Sequence, residues 1–187
     1  MQRRELIKMI AVITGSAVIG ADIFLAGCKN KKDDFFNEDD IDFFDEVAET
    51  IIPKTNTPGA KDAATGKFMA LYAAGCYDET NREILRDGIS KLNEAAKQKY
   101  DAGFMKIDPA QSQALLTEID SEAKKYNVQN TGGEKGKTLH YFTLMKQLTL
   151  LGFFTSEAGA TQVLRYNPVP GKYEGCVDYK TGETAWA

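Results

Sequence analysis

The chain has 187 residues, of which 43% are hydrophobic and 27% are charged, and its formal net charge is −4. A chain of this length can bury one sizeable hydrophobic core and is expected to fold as a single domain. The acidic balance argues against a nucleic-acid partner, because such a partner requires a basic footprint on the protein surface.

The first 27 residues are predicted to be an export signal. Arg3 and Arg4, followed by an apolar pair and Lys8, form a twin-arginine pattern that leads into a modestly apolar stretch. A bilayer-spanning helix needs about 20 apolar residues, and here Asp22 interrupts the stretch before that length is reached. Signals of this kind export cargo that has already folded.

Cys28 is predicted to be a lipidation site. It follows Leu25-Ala26-Gly27, and small residues before a cysteine resemble the lipobox of bacterial lipoproteins, where the thiol is acylated and the chain is cut. Cleavage there would leave residues 28–187 with 20 basic and 25 acidic side chains, a net charge of −5. The alternative is an ordinary buried cysteine in an uncleaved helix.

The mature chain is predicted to consist of a tether, residues 28–36, and a helical domain, residues 37–187. The tether is polar and charged, which is typical of a short link between a membrane anchor and a folded domain. The domain is expected to be all-α, with about six helices and an extended, turn-rich C-terminal tail. Apolar residues recur along it at helical spacing, and alternating strand patterns are nearly absent.

The first three helices are indicated by their caps and by their apolar spacing. Asn37 is predicted to cap the first helix, and Pro53 stops it. The second helix is expected to run roughly from Ala60 or Gly66 to Gly75. The third is expected over Thr80–Tyr100, where Thr80 and Glu83 have the spacing of a capping box.

The fourth helix has a complete start signal. Asp108 is its predicted N-cap, Pro109 occupies the first helical position and Gln111 is the capping-box partner. After a glycine loop at 132–136, the segment TLHYFTLMKQLTLLGFF is apolar on most faces. A helix of that composition is predicted to be the central buried helix of the domain.

The last helix is expected from Glu157 to about Arg165, after a break at Gly152 and with Ser156 as its cap. Beyond it, the segment YNPVPGKYEGCVDYKTGETAWA contains two prolines and three glycines and has no helical period. This composition predicts a tail that runs over the surface in turns and extended backbone.

Two cysteines remain if Cys28 carries the lipid. The remaining residues, Cys76 and Cys176, are even in number and would lie in a compartment outside the reducing cytoplasm. A disulfide between them is therefore expected. Two separate buried thiols are the alternative.

No catalytic residue, bound cofactor or metal ligand set is predicted in this chain. Gly136-Lys137-Thr138 ends like a phosphate-binding loop, but the glycine that the motif needs five positions earlier is Thr131. His140 is the only histidine, and no His or Cys pair has the spacing of metal ligands. The residues on their own favour a supporting or carried subunit over a catalyst.

The C-terminal segment GFFTSEAGATQVLRYNPVPGKYEGCVDY, residues 152–179, resembles the signature of the gluconate 2-dehydrogenase subunit 3 family, the small subunit of membrane-associated flavin sugar dehydrogenases. That family also shows the ETIIP helix end found at Glu49–Pro53. The resemblance implies a glucose-methanol-choline-type flavoprotein partner, which holds FAD and oxidises the sugar. It implies further that a cytochrome c subunit with haem c often takes the electrons, and that the small subunit supports maturation and export of the large one.

The same segment is predicted to contact the partner, because aromatic and arginine side chains are enriched at interface hot spots. The predicted partner-binding residues are Phe153, Phe154, Glu157, Arg165, Tyr166, Pro168 and Pro170. The alternative is that the two phenylalanines complete the core and that the arginine lies along the surface with its charge in water.

Two functions are consistent with these patterns. The first is a non-catalytic small subunit of a flavin-dependent sugar or sugar-acid dehydrogenase complex, lipid-anchored in the cell envelope, on the periplasmic side or exposed at the surface. The second is a free-standing lipid-anchored binding protein of the envelope. An independent enzyme is the weakest hypothesis, because no nucleophile is accompanied by its base. A neighbouring gene for a flavoprotein that lacks its own signal peptide would favour the first.

Overall fold

The computed structural model describes residues 35–130, 138–169, 171–172, 175–178 and 180–186, and from Phe36 onward these belong to one compact unit. The chain forms five α-helices there, and a 3₁₀ turn, Phe104–Lys106, joins the third to the fourth. The helices are α1 (Glu38–Ile51), α2 (Thr65–Cys76), α3 (Glu79–Tyr100), α4 (Pro109–Asn130) and α5 (Tyr141–Phe154), followed by a π-helical turn, Gly159–Val163. No strand occurs in the described ranges, so the prediction of an all-α domain with about six helices is confirmed.

Two predicted helix starts are confirmed by their hydrogen bonds. The Asn37 side chain accepts from the backbone N–H of Asp40 at 2.9 Å, and the Asp40 carboxylate accepts from that of Asn37 at 3.0 Å. At α4, Asp108 Oδ1 accepts from the N–H of Gln111 at 3.0 Å, and Gln111 Oε1 accepts from that of Asp108 at 3.2 Å. Both starts are reciprocal capping boxes, which satisfy N–H groups that have no partner within the helix.

The predicted N-cap of α3, Thr80, was wrong by two residues. Asp78 is the N-cap, and its side chain accepts from the backbone N–H of Asn81 at 2.8 Å, while Thr80 already lies inside the helix. A carboxylate at this position also interacts favourably with the positive end of the helix dipole. The Asp78 carboxylate, a stronger hydrogen-bond acceptor than the Thr80 hydroxyl, therefore sets the start of α3.

The central position of α5 is confirmed, because this helix contacts α1, α2, α3 and α4. The predicted break at Gly152 was wrong, since the helix continues through it to Phe154. A Cβ added at Gly152 would lie 2.5 Å from Cδ1 of Phe68 on α2. The glycine therefore permits close contact between α2 and α5 and does not end the helix.

The contact between α1 and α2 depends on Gly66. A Cβ there would lie 2.5 Å from the carbonyl oxygen of Ile41 and 2.6 Å from the backbone nitrogen of Asp45. The N–H of Gly66 donates to Asp45 Oδ1 at 2.7 Å. Because α2 has no side-chain cap of its own, this carboxylate from α1 satisfies one of its free N–H groups. Burial raises the pKa of Asp45 although the hydrogen bond from Gly66 opposes that shift.

The segment between α1 and α2 is fixed by Glu49 of the ETIIP motif. Its two carboxylate oxygens accept from the backbone N–H groups of Lys54 and Lys61, each at 2.9 Å. Asp62 accepts from the N–H of Gly59 at 3.1 Å and is paired with the Lys54 ammonium. The motif thus closes the turn that reverses the chain from α1 into α2.

Phe36 is part of the core, although the sequence prediction assigns it to the tether. It is buried, and its ring lies edge-on to that of Phe44 on α1, with centroids 5.2 Å apart. The guanidinium of Arg86 on α3 lies 5.9 Å from the centroid of the same ring. The ordered domain therefore includes at least one residue before the α1 cap.

We predict that Gly66→Ala lowers the free energy of unfolding by about 1–3 kcal/mol, because the added methyl group overlaps backbone atoms of α1. The matched control is Gly75→Ala on the same helix, where no atom lies within 4 Å of the added Cβ. Alanine is the better helix former, so this control is expected to be neutral or stabilising by up to about 1 kcal/mol. Urea unfolding followed by circular dichroism gives both values, and equal destabilisation would contradict the close-contact argument.

Candidate functional site

The two adjacent phenylalanines at the end of α5 have different environments. Phe153 is 1% exposed and belongs to the core, whereas Phe154 is 37% exposed, with its ring edge-on to that of Phe153. Phe153 is therefore not available to a partner, contrary to its prediction as a partner-binding residue, because its side chain is enclosed in the core. The alternative expectation, that it completes the core, describes it correctly.

The outer side of α5 is apolar as well as the inner side. Leu150 and Leu151 are each 40% exposed and adjoin Phe154 at the helix end. Sequence reasoning missed both leucines because a helix that is apolar on most faces gives no period that separates inner from outer positions. Exposed apolar side chains grouped in this way are typical of a surface that contacts another protein. We call Leu150, Leu151 and Phe154 the α5 outer patch.

The chain leaves α5 through a sharply turned segment. Ser156 Oγ accepts from the N–H of Gly159 at 3.0 Å, which agrees with its predicted capping role. A Cβ added at Gly159 would overlap the carbonyl oxygen of Phe153. The turn that follows is π-helical and not α-helical, and it ends at Val163, two residues before the predicted end.

The tail after this turn returns to Arg165, a residue predicted to lie at the partner interface or along the surface with its charge in water. Its backbone N–H donates to the carbonyl of Ala185 at 2.8 Å, and Nη1 donates to Glu183 Oε2 at 3.3 Å. Its guanidinium carbon lies 4.3 Å from the ring centroid of Trp186. The side chain is thus engaged within the chain, and the tail folds back on the end of the last helical turn.

The remaining predicted contact residues are on the surface or outside the described ranges. Glu157, Tyr166 and Pro168 are exposed. Pro170 is outside the described residues, as are Arg3, Arg4, Lys8 and Cys28 of the predicted export and lipidation signals.

The expected disulfide between Cys76 and Cys176 is not formed in the structure, where both are free, exposed thiols. Cys76 is the last residue of α2, and Cys176 lies in the C-terminal tail, which returns to Arg165 instead. The expectation rested on an even count of cysteines, and that count carries no information about where the tail is held.

A cleft of about 470 Å³ lies between α3, α4 and the start of α5, and it contains His140. His140 is the N-cap of α5, with Nδ1 accepting from the N–H of Phe142 at 3.3 Å. Its own N–H donates to Asn127 Oδ1 at 3.0 Å, and its ring centroid lies 4.3 Å from that of Tyr141. Burial lowers the pKa of His140, so the imidazole is neutral near pH 7 and Nδ1 is free to accept.

The pKa of the neighbouring Tyr141 is shifted in the direction expected for a buried phenol. Burial, assisted by the negative charge of Glu122, raises its pKa to about 12. Its ring also lies against Gly88 of α3, where a Cβ would approach within 2.7 Å of Cδ2. The arrangement explains how α5 begins, and it assigns His140 a structural role as a helix cap.

The described part of the chain presents neither a metal ligand set nor a membrane-spanning helix. No three His, Cys, Asp or Glu side chains in it are placed to hold a metal ion. None of its helices combines the length and apolarity that crossing a bilayer requires.

The fold and the exposed apolar residues of α5 and the tail define a helical domain with a surface suited to protein contact. The family model for gluconate 2-dehydrogenase subunit 3 matches residues 38–171, and the chain belongs to that family. The matched region runs from the start of α1 into the C-terminal tail and includes the ETIIP motif. No curated protein and no solved structure shows significant similarity to the chain.

We predict that the free energy of unfolding falls as the pH is lowered through the titration of His140. The unfolded state binds a proton near pH 6.5, whereas the folded state resists it because its pKa is lowered by burial. Stability is therefore fully present above about pH 6.5 and declines between that value and the lower folded pKa. Protonation would place a hydrogen on Nδ1 and a positive charge at a helix N-terminus.

His140→Asn is the matched variant, because asparagine can cap the helix and does not titrate. Glu122 and Lys91, which act on the His140 pKa in opposite directions, remain in it. Urea unfolding at about pH 7.5 and about pH 5.5 should show a smaller pH dependence in this variant than in the natural protein. If the variant and the natural protein show the same pH dependence, the loss of stability comes from titratable groups other than His140.

Proposed function

We propose that this chain is the non-catalytic small subunit of a flavin-dependent sugar or sugar-acid dehydrogenase complex. In this proposal it supports folding, twin-arginine export and membrane tethering of the FAD-containing large subunit. Membership of the gluconate 2-dehydrogenase subunit 3 family is the observation that carries the proposal.

The twin arginines are the reason to propose that this chain and the flavoprotein are exported together as one complex. FAD enters a flavoprotein as that protein folds in the cytoplasm, so the large subunit has to leave the cytoplasm folded. Arg3 and Arg4 form a signal suited to folded cargo, and a bound partner can use the same signal. The small subunit is thus the carrier, and the large subunit is the cargo.

Cys28 supplies the membrane tether in the same proposal. The residues before it form the lipobox, and acylation of its thiol would hold the complex at the periplasmic face of a membrane. A cytochrome c subunit with haem c is the proposed electron acceptor of the assembly. Neither FAD nor haem is assigned to this chain.

The α5 outer patch is the proposed docking surface for the flavoprotein, together with Tyr166 of the tail. These side chains are between 37% and 57% exposed and are apolar or aromatic. Burying such groups against a partner removes apolar surface from water, and tyrosine and phenylalanine are enriched where interfaces gain most of their energy. The surface is therefore suited to a stable complex with the flavoprotein.

We predict that replacing Arg3 and Arg4 with lysines leaves both this protein and the flavoprotein in the cytoplasm, because all members of a complex depend on a shared signal. Cell fractionation with an assay of flavin-dependent sugar oxidation measures the distribution. Deletion of this gene should have the same effect on the flavoprotein. An active flavoprotein in the periplasm of the deletion strain would reject the carrier function and favour the free-standing lipoprotein.

We predict that Phe154→Ala weakens the complex by more than about 1 kcal/mol, because the ring lies in the docking surface and is truncated to a methyl group. The control is Val128→Ala on α4, which truncates another apolar side chain, one that is 80% exposed and lies outside the α5 outer patch. Titration of each purified variant with the flavoprotein gives the dissociation constants, and urea unfolding separates lost affinity from lost stability. Equal affinities for the two variants would place the docking surface elsewhere.

A further inference from the structure

The cleft beside His140 brings charged side chains from two helices to the start of a third. Lys91 of α3 and Glu122 of α4 line it together with His140, and its volume is about 470 Å³. Cavities that hold small molecules measure about 300–1,000 Å³, so this one has room for a ligand. Neither Lys91 nor Glu122 forms an ion pair with another described residue. Two opposite charges are therefore available to a molecule that enters the cleft.

His140 adds a neutral hydrogen-bond donor to the same cleft. Its Nδ1 accepts from the N–H of Phe142 at 3.3 Å, so the proton of the neutral imidazole is on Nε2. Burial lowers the pKa of His140, which keeps the ring in this neutral form near pH 7. Lys91 and Glu122 act on that pKa in opposite directions, so all three groups lie near one another. The helix cap thus fixes the tautomer and leaves Nε2–H to donate to a ligand.

The rest of the described lining is apolar or aromatic. Aliphatic surface comes from Ile84, Ala95 and Leu139. Tyr126 of α4 is 37% exposed, and its ring centroid lies 5.4 Å from that of His140. An aliphatic wall gains free energy when it covers an apolar group, and the face of a tyrosine ring attracts an ammonium group. The lining therefore suits a ligand that combines an apolar part with two opposite charges.

We propose that this cleft binds a free α-amino acid with an apolar side chain. The carboxylate of the ligand accepts from His140 Nε2–H and from the Lys91 ammonium. The ammonium of the ligand lies against the Glu122 carboxylate and the Tyr126 ring, and its side chain contacts the aliphatic wall. Glu122 repels a simple anion and Lys91 repels a simple cation, so a zwitterion fits better than either. A zwitterionic lipid headgroup lacks the apolar side chain that the aliphatic wall would cover.

The class of ligand is tested by titrating the purified full chain with L-leucine. The Cε1–H proton resonance of His140 reports binding, because His140 is the only histidine in the sequence. L-Leucine should move this resonance in a saturable way, which gives a dissociation constant. Glycine lacks the apolar side chain and should bind about tenfold more weakly. Leucine methyl ester and N-acetyl-leucine each lack one charge and should bind about two- to fivefold more weakly.

Two variants test which side chain meets which charge. Lys91→Met and Glu122→Gln should each weaken L-leucine binding by about two- to fivefold, because each removes one charge from an exposed position. The Lys91 variant should no longer distinguish leucine from its methyl ester, and the Glu122 variant should no longer distinguish leucine from N-acetyl-leucine. Lys97→Met and Glu118→Gln are the same changes on the same two helices, outside the cleft lining, and should leave binding unchanged.

Several results would overturn the inference. These are a dissociation constant for L-leucine weaker than about 10 mM, and equal binding of leucine and either of its singly charged derivatives. Tighter binding of O-phosphoethanolamine than of leucine would assign the cleft to a lipid headgroup instead. Equal weakening by the two control variants would assign the effect to net charge. Because the titration uses this chain alone, none of these results depends on a complex with the flavoprotein.

Discussion

The arrangement of the helices depends on how closely α2 approaches its two neighbours. Gly66 allows the backbone of α1 to lie against the start of α2, and Gly152 allows Phe68 of α2 to lie against α5. Asp45 links the first contact to helix capping, because it accepts from the N–H of Gly66. With α2 held on both sides, α5 is fixed in the centre of the domain, where the other helices surround its inner face.

The fixed position of α5 determines what the protein presents to its surroundings. The inner residues of this helix are buried, and the α5 outer patch remains at the surface. The chain then turns at Ser156 and Gly159 and continues into the tail, so the patch and the tail follow each other directly. Core formation and exposure of the apolar α5 outer patch are therefore two consequences of one helix placement.

Features determined by nearby residues could be predicted from the sequence, and features determined by distant ones could not. The caps at Asn37 and Asp108 involve side chains three positions from their partners, so their spacing is visible in the sequence. The role of Gly152 depends on Phe68, which lies on another helix. The two phenylalanines at the end of α5 are equivalent by composition, and only tertiary contacts separate the buried one from the exposed one. Residue type predicts Arg165 as a partner contact, whereas its position over the Trp186 ring depends on a chain reversal that is not visible in the sequence.

The lack of room for a side chain at Gly159 constrains the codon that encodes this residue. Any side chain there would overlap the carbonyl oxygen of Phe153, an atom of the backbone that cannot move without displacing the end of α5. A change in the first or second base of a glycine codon replaces the residue or stops translation, whereas a change in the third base is silent. Among related genes this codon is therefore expected to drift only in its third base, while codons for exposed tail residues such as Thr181 vary more freely.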